Sequence, residues 1–280
     1  LLIDEIHQPS HRIPLRMAPL VLFSTLLTHL LGGSAGREGT AVQIGGAISD
    51  QLSKSKYFSA EDRKILICIG ISAGFASVFG TPIAGAIFAL EVLTIGRIRY
   101  EAILPCFLTA IIADYSCRFW EIPHTHYGIA SIPELTPEIF FWTILVGVLF
   151  GLVAKSFAQL NRFWSELFRK SIKYPPLRPF VGGIVIALAV WLVGTTKYIG
   201  LGIPTIVEAF HGDLKGYDFL LKMLFTTFTL GVGFKGGEVT PLFFIGAALG
   251  NALSFFVPLP ISLLAGMGFV AVFAGATNTP

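Results

Sequence analysis

Gly36-Arg37-Glu38-Gly39-Thr40 decides how this chain is read. The stretch follows an apolar run that closes in small residues, Leu31-Gly32-Gly33-Ser34-Ala35. It precedes a second apolar run, Ala41 to Ile48. An arginine and a glutamate are thus set among residues that leave water. A charge at the centre of a bilayer costs about 2.5–3.5 kcal/mol on the insertion scale, so it marks an ion or proton path. The same grammar returns as Gly236-Gly237-Glu238-Val239-Thr240. Gly-x-Glu-x-Thr therefore occurs twice, each copy opening a short apolar segment, and the two copies are expected to form two lips of one site.

Composition sets the class. Of 280 residues, 54% are hydrophobic and 13% charged, with a mean hydropathy of +0.73. A soluble domain carries about 25% charged residues, so the chain reads as an all-α, polytopic membrane protein. The 25 phenylalanines suit a lipid-facing surface, and the 30 glycines let helices approach closely. A net charge of +3 is too small to suggest a nucleic-acid partner. Lysine and arginine gather in polar breaks, Lys54–Lys64 and Lys155–Arg178, as loops or interfacial helix ends require. Cys68, Cys106 and Cys117 lie in or beside apolar stretches without metal-ligand spacing and read as reduced packing residues. No metal or cofactor is expected. The first sixteen residues are polar and irregular, with no signal peptide and no initiator methionine, so the chain is expected to start in mid-protein.

Taken in order, the apolar pieces are short. Helices are expected over 17–31, 41–52 and 102–120, after a loop at 1–16. The run 65–93 is broken at Gly80-Thr81-Pro82 into two half-helices. Pro123, His124, His126 and Pro133 mark 121–138 as an exposed connection. The long run 140–168 turns amphipathic at Lys155, Arg162 and Glu166, so it is read as tilted with its end in the interface, and Gly147-x-x-x-Gly151 as its close-packing face. Spans follow at 179–193, 219–232, 241–256 and 261–273, with 195–215 as a loop. A straight span needs about 20 apolar residues. Short, broken, tilted helices keep irregular backbone only where protein or an aqueous cavity covers it, as in transporters built from repeats.

The repeat is visible within the sequence. Ile44-Gly45-Gly46-Ala47 matches Ile245-Gly246-Ala247-Ala248 with a one-residue slip against the Gly-x-Glu-x-Thr pair. Gly74-Phe75 through Phe79 matches Gly268-Phe269 through Phe273, and Thr81-Pro82 matches Thr279-Pro280. One transmembrane domain over 1–280 is expected, with a first repeat in 17–120 and a second in 179–280. The second copy stops at Pro280, so the chain is expected to be truncated there too.

Helix N-termini carry unpaired amides and a partial positive charge, and several aimed at one point bind an anion without a full cation. Gly36, Arg37, Gly39 and Thr40 in the first copy and Gly237, Val239 and Thr240 in the second are the candidate anion-binding residues. Glycine lets the backbone come close to the ion, threonine can cap the helix or offer a hydroxyl, and Pro241 suits a first turn. Glu38 is a carboxylate that can occupy the anion's place when ionised and leave it when protonated. Glu238 is the second candidate for gating or proton transfer. Glu38 merely pairing with Arg37 is disfavoured, because neighbouring residues on a helix point apart.

These residues carry a resemblance. Gly36-Arg37-Glu38-Gly39 with Val42-Gln43-Ile44-Gly45-Gly46 resembles the GREGP-x-VQIGG stretch of the CLC chloride channel and transporter family. Phe79 to Gly85 with Phe88 and Glu91 resembles its FNAPLAG-x-x-F-x-x-E segment. Gly237 to Pro241 with Ile245-Gly246-Ala247 lies where the family has G-x-F-x-P-x-x-x-IGA. The resemblance implies an inverted-repeat homodimer in the membrane, with a pore in each subunit and Glu38 as the gating glutamate. Thr40 in place of proline, and Glu238-Val239-Thr240 in place of the aromatic-containing form, look like the fluoride/proton antiporter branch. Chloride exchangers place a second acid directly after the position of Glu91, where this chain has Val92, and Glu238 is then the candidate for an alternative proton or fluoride-sensing role. The family's upstream serine-bearing loop and C-terminal pore tyrosine have no counterpart. The function implied is proton-coupled fluoride export in a prokaryotic inner membrane, with fluoride or chloride, protons and lipid as partners. The alternative is a chloride channel or chloride/proton antiporter.

An enzyme is not expected. Gly70-Ile71-Ser72-Ala73-Gly74 matches the Gly-x-Ser-x-Gly elbow, but that motif needs a strand-to-helix turn with histidine and acid partners. Inside an apolar helix, serine and glycine read as packing residues. His124-Thr125-His126 lacks further ligands nearby and reads as a solvated loop.

Overall fold

The computed structural model describes residues 12–91, 100–212 and 214–277. Eleven helices stand among the described residues. They are α1 (Met17–Leu30), α2 (Glu38–Leu52), α3 (Ala60–Phe79), α4 (Pro82–Glu91), α5 (Tyr100–Phe119), α6 (Pro137–Ser171), α7 (Leu177–Val193), α8 (Ile203–Ala209), α9 (Asp218–Gly231), α10 (Val239–Leu253) and α11 (Ile261–Thr277). Two of them, α5 and α6, are both long and apolar enough to cross a membrane alone; α1, α4, α7, α10 and α11 are shorter apolar helices. The chain divides into two compact units. Among the described residues, one takes in those up to Thr25 and those within Arg37–Thr125; the other takes in Leu26–Gly36 and those from His126 onward.

In the first unit, α2, α3, α4 and α5 pack around a core of small and branched side chains, including Ile67, Ile71, Ala86 and Ala110. α3 begins five residues before the expected 65, because Ser59 and Asp62 form a reciprocal capping box. The expected break is present. Gly80 closes α3 in the left-handed region (φ +67°), and Pro82 opens α4. His124, read from sequence as solvated, is half-buried against this break and its Nε2 lies 2.9 Å from the Ser77 carbonyl. Ser72 lies in mid-helix, fully buried, and donates to the Cys106 carbonyl at 2.9 Å; the elbow geometry of a catalytic serine is not what surrounds it.

In the second unit, α6 packs against α9 and α11, and α10 against α9 and α11. Phe150, Phe157, Leu242, Ile245 and Leu264 fill one core cluster, and Ile206, Phe210 and Phe244 belong to another. The expected loop 195–215 contains α8, which starts at left-handed Gly202 with Pro204 in its first turn. Seven residues are too few to leave a readable period. Gly147 and Gly151 do not close-pack here: a methyl at either would meet nothing within 4 Å.

The same device recurs in both units, and it corrects the repeat's register. Gly45 of α2 and Gly70 of α3 touch so closely that a methyl on either would overlap the other's carbonyl. Gly246 of α10 and Gly268 of α11 do the same. Gly268 is therefore the counterpart of Gly70, and the sequence match of Gly74-Phe75 to Gly268-Phe269 is out by one helical turn. Phenylalanine and glycine recur at helical spacing in α3, so composition alone could not choose the turn.

Asp50 holds the end of α2 to its neighbours. Its fully buried carboxylate accepts from Arg63 Nε at 2.6 Å and Nη2 at 3.0 Å, and from the Ile13 amide at 2.7 Å. Removing one member of a buried pair strands the other. Asp50→Ala is expected to destabilise the protein by about 3–5 kcal/mol. Thermal unfolding in detergent should register the loss, and Asp50→Leu with Arg63→Met should recover much of it.

Candidate functional site

Two non-helical segments each lead into a helix start, that of α2 in the first unit and that of α10 in the second. Gly36 and Gly237 pair antiparallel: the Gly36 amide donates to the Gly237 carbonyl at 2.6 Å, and the Gly237 amide to the Gly36 carbonyl at 2.7 Å. Both glycines are buried. Each satisfies the other's buried backbone, as irregular backbone shut off from water requires. Gly236 has no room for a side chain, since a methyl there would stand 2.5 Å from Ala35 Cβ.

This pairing fixes the equivalence of the two copies one residue away from the Gly-x-Glu-x-Thr match. Arg37 then corresponds to Glu238, and their backbones agree (φ −114°, ψ −7° against φ −105°, ψ −10°). Both are N-cap residues without a side-chain capping bond. The first intrahelical bonds correspond as well, Ala41 N–H to the Arg37 carbonyl and Leu242 N–H to the Glu238 carbonyl. Glu38 thus corresponds to Val239, and the slip at Ile44-Gly45 against Ile245-Gly246 disappears. Neither threonine caps its helix: Thr40 and Thr240 lie inside the first turn, in α2 and α10 respectively.

The side chains at the two starts differ. In the first unit, Glu38 is the first residue of α2 and only 1% exposed, whereas Arg37 is exposed. Thr40 is buried, and its hydroxyl meets the Thr25 hydroxyl of α1 at 2.6 Å. Gly39 is partly exposed between them. In the second unit, Val239 and Thr240 are buried, and Glu238 is half-buried and opens into a cavity of about 590 Å³ beside α6. Among the described residues the Glu238 carboxylate has no hydrogen-bond or ion-pair partner. Val92, where chloride exchangers carry the second acid, lies outside the described residues.

A hydroxyl lattice behind the Gly36–Gly237 pair was not anticipated. The Ser34 hydroxyl meets that of Thr226 at 2.8 Å, and the Ser34 amide donates to Thr229 Oγ1 at 3.2 Å. The Gly33 carbonyl accepts from the Gly200 amide at 2.9 Å. One and two turns earlier on α9 stand Lys222 and Asp218, both fully buried. Lys222 Nζ donates to the Gly200 carbonyl at 2.8 Å and the Tyr198 carbonyl at 3.2 Å, while Asp218 accepts from Lys197 and from the Tyr198 hydroxyl. The signal was in the sequence: a lysine and three threonines in one apolar run, Phe219 to Val232, are a polar stripe within a span.

Short helices that start on a paired, glycine-built turn inside an apolar fold define an integral membrane protein with buried, amide-rich helix N-termini. The voltage gated chloride channel family profile matches residues 1–280, and the chain belongs to that family. It is 53% identical over 286 residues to a chloride/fluoride channel protein of Pseudomonas syringae pv. tomato, covering 100% of this chain and 63% of that protein. It is 27% identical over 249 residues to an H(+)/Cl(-) exchange transporter ClcA of Cronobacter sakazakii, covering 85% and 52%. The chain thus spans about 63% of the first relative's length and about half of the second's. Its fold superposes on the crystal structure of a CLC-type fluoride/proton antiporter with a TM-score of 0.94 and 38% identity, over 99% of this chain and 70% of that one. A slow cyanobacterial Cl-/H+ antiporter shares the fold at a TM-score of 0.73 and 20% identity.

Removing one hydroxyl of the lattice strands its partner in a dry environment. Ser34→Ala and Thr226→Val are each expected to lower stability by about 1–2 kcal/mol, and the double variant by clearly less than their sum. A double-mutant cycle on unfolding in detergent measures that coupling.

Proposed function

We propose that this chain carries the anion-handling helix starts of a proton-coupled fluoride exporter of a prokaryotic inner membrane, a homodimer, with Glu38 as the exchanging acid. The observation that carries this reading is the place of Glu38: a carboxyl all but sealed from solvent, at the first residue of a helix with no side-chain cap. A helix start favours negative charge, whether a carboxylate or an inorganic anion. The ionised side chain therefore competes with an anion for the same amides, and protonation releases it. Each exchange couples one anion's movement to a proton's. Thr40 supplies a hydroxyl in the same turn, suited to a small and strongly hydrated halide that must trade water for donors. Gly36, Arg37 and Gly39 contribute backbone to the first start, and Gly237, Val239 and Thr240 to the second. Glu238 is a second proton carrier or fluoride sensor.

The similarity to a chloride/fluoride channel protein and to a fluoride/proton antiporter supports fluoride as the substrate. A chloride channel or chloride/proton antiporter is the rival reading, favoured by the likeness to a chloride exchanger.

The test is flux from liposomes holding the whole protein, with halide electrodes and a pH electrode. Fluoride efflux faster than chloride efflux, with protons moving the opposite way, is expected; equal or faster chloride efflux overturns the fluoride reading. Glu38→Gln is expected to abolish proton movement driven by a fluoride gradient. Undiminished proton movement in that variant removes Glu38 from the mechanism. Glu238→Ala and Thr240→Val should each slow fluoride turnover about tenfold or more, the scale of losing one well-placed proton carrier or donor; wild-type rates in both would leave the second helix start a purely structural element.

A further inference from the structure

α9 carries an acid and a base that the proposed exchange step does not use. Asp218 and Lys222 stand four residues apart on one helix face, and both are fully buried. Both reach into the same short stretch, 197–202, between α7 and α8. At one end, the Asp218 carboxylate accepts from Lys197 Nζ at 2.6 Å and from the Tyr198 hydroxyl. At the other, Lys222 Nζ donates to the Gly200 carbonyl at 2.8 Å and the Tyr198 carbonyl at 3.2 Å. The stretch is not helical: Gly200 (φ +59°) and Gly202 (φ +75°) turn it through the left-handed region. Acid and base thus clamp it as a strap.

The strap reaches the start of α10 by two routes. The Gly200 amide donates to the Gly33 carbonyl at 2.9 Å, three residues before the Gly36 that exchanges both backbone bonds with Gly237. Gly202 lies against Phe244, on the second turn of α10, and a methyl there would stand 2.6 Å from a ring carbon. Lys222 touches both routes. It holds the Gly200 carbonyl, and its ammonium lies 5.2 Å from the centre of the Phe244 ring. Packing alone does not call for the charge, because replacing buried charge by well-packed apolar residues is often neutral for stability. Neighbouring polar needs are met by neutral hydroxyls, at Ser34, Thr226 and Thr229. An ionisable residue buried in an apolar helical fold of this kind points to function.

We propose that Lys222 is a positioning residue for anion exchange. Its charge draws together the carbonyls of the 197–202 strap, and the strap sets the 33–36 turn and the first turns of α10 in the geometry that admits an anion. The inference rests on the anion-transport reading and adds to it a residue outside the helix starts themselves. Asp218 is the second grip of the same clamp, and Phe244 is its floor. Because the clamp acts on the shape of the site, its loss raises the anion concentration needed for half-maximal flux in protein that is still folded. A lysine with a structural duty alone would lower the amount of folded protein and leave half-saturation unchanged.

The experiment is fluoride flux from liposomes holding the whole protein, as wild type, Lys222→Met, Asp218→Asn and Phe244→Leu, with rates normalised to protein that elutes as a single folded species. Amide hydrogen exchange is followed on the same samples. Lys222→Met is expected to raise half-saturating fluoride about two- to thirtyfold, the range for residues coupled to a site through a packed network. Asp218→Asn and Phe244→Leu should raise it in the same direction, and Lys222→Met combined with Phe244→Leu by less than the product of the two. Peptides over 31–37 and 236–242 should exchange faster in Lys222→Met and Asp218→Asn, while those over α3 stay unchanged. Wild-type half-saturation in Lys222→Met overturns the proposal, even where exchange is faster. Should that variant not fold, wild-type half-saturation in both Asp218→Asn and Phe244→Leu overturns it. Raised half-saturation without faster exchange at 31–37 and 236–242 also overturns it, since the charge would then act on the anion and not through the strap. Absence of halide flux in the wild type would instead defeat the transport reading, and the exchange comparison would still judge the strap.

Discussion

Backbone that is neither helix nor sheet must still satisfy every amide and carbonyl when water is excluded, and the Gly36–Gly237 exchange is this protein's answer. Two turning segments, far apart in sequence, each spend one donor and one acceptor on the other. The remaining polar groups nearby are met in the same way. Thr229 takes the Ser34 amide, Gly200 covers the Gly33 carbonyl, and the Lys222 ammonium covers the carbonyls of Tyr198 and Gly200. Lys222 shows how far the requirement reaches. A fully buried cation is costly, and here its hydrogen bonds go to the backbone of an irregular stretch between α7 and α8.

Once the turns are satisfied, helices can start within the apolar fold, and a helix start brings charge without an ion. The first-turn amides of α2 and α10 have no acceptor in their own helices, by geometry. Full cations close to an anion would hold it too firmly for turnover, whereas partial charges bind more gently. The buried cation of α9 is committed to carbonyls, and Arg37 is exposed. Oriented peptide groups give each start a partial positive charge of its own.

Much of this was legible in the residues. Gly80-Thr81-Pro82 announced a broken helix because glycine at positive φ closes one helix and proline opens the next. The two glycine-rich starts announced themselves because a charge in apolar surroundings needs a reason. Register was harder. The Glu38–Glu238 match aligned side chains, but the fold aligns backbones, and glycine at the pairing point outweighs glutamate one or two residues later. The Ser34–Thr226–Thr229 lattice was not legible because a threonine in an apolar run shows no preferred face until a partner is placed. Arg162 and Glu166 were read as an interfacial helix end, which their spacing supports; that their face meets Glu238 depends on Gly231 and Trp164, which no local pattern links.

At matched backbone positions the two helix starts carry different side chains. At the cap position one copy has Arg37, turned outward and exposed; the other has Glu238, half-buried at a cavity. At the next position one copy has buried Glu38 and the other buried Val239. A carboxylate at a first helical residue competes with any anion for the helix's amides. Valine leaves the start of α10 clear of a tethered competitor. The second acid, Glu238, stands one residue earlier, at the cap position and beside the cavity. The two starts are thus alike in what the backbone must satisfy and unlike in what each side chain is free to do.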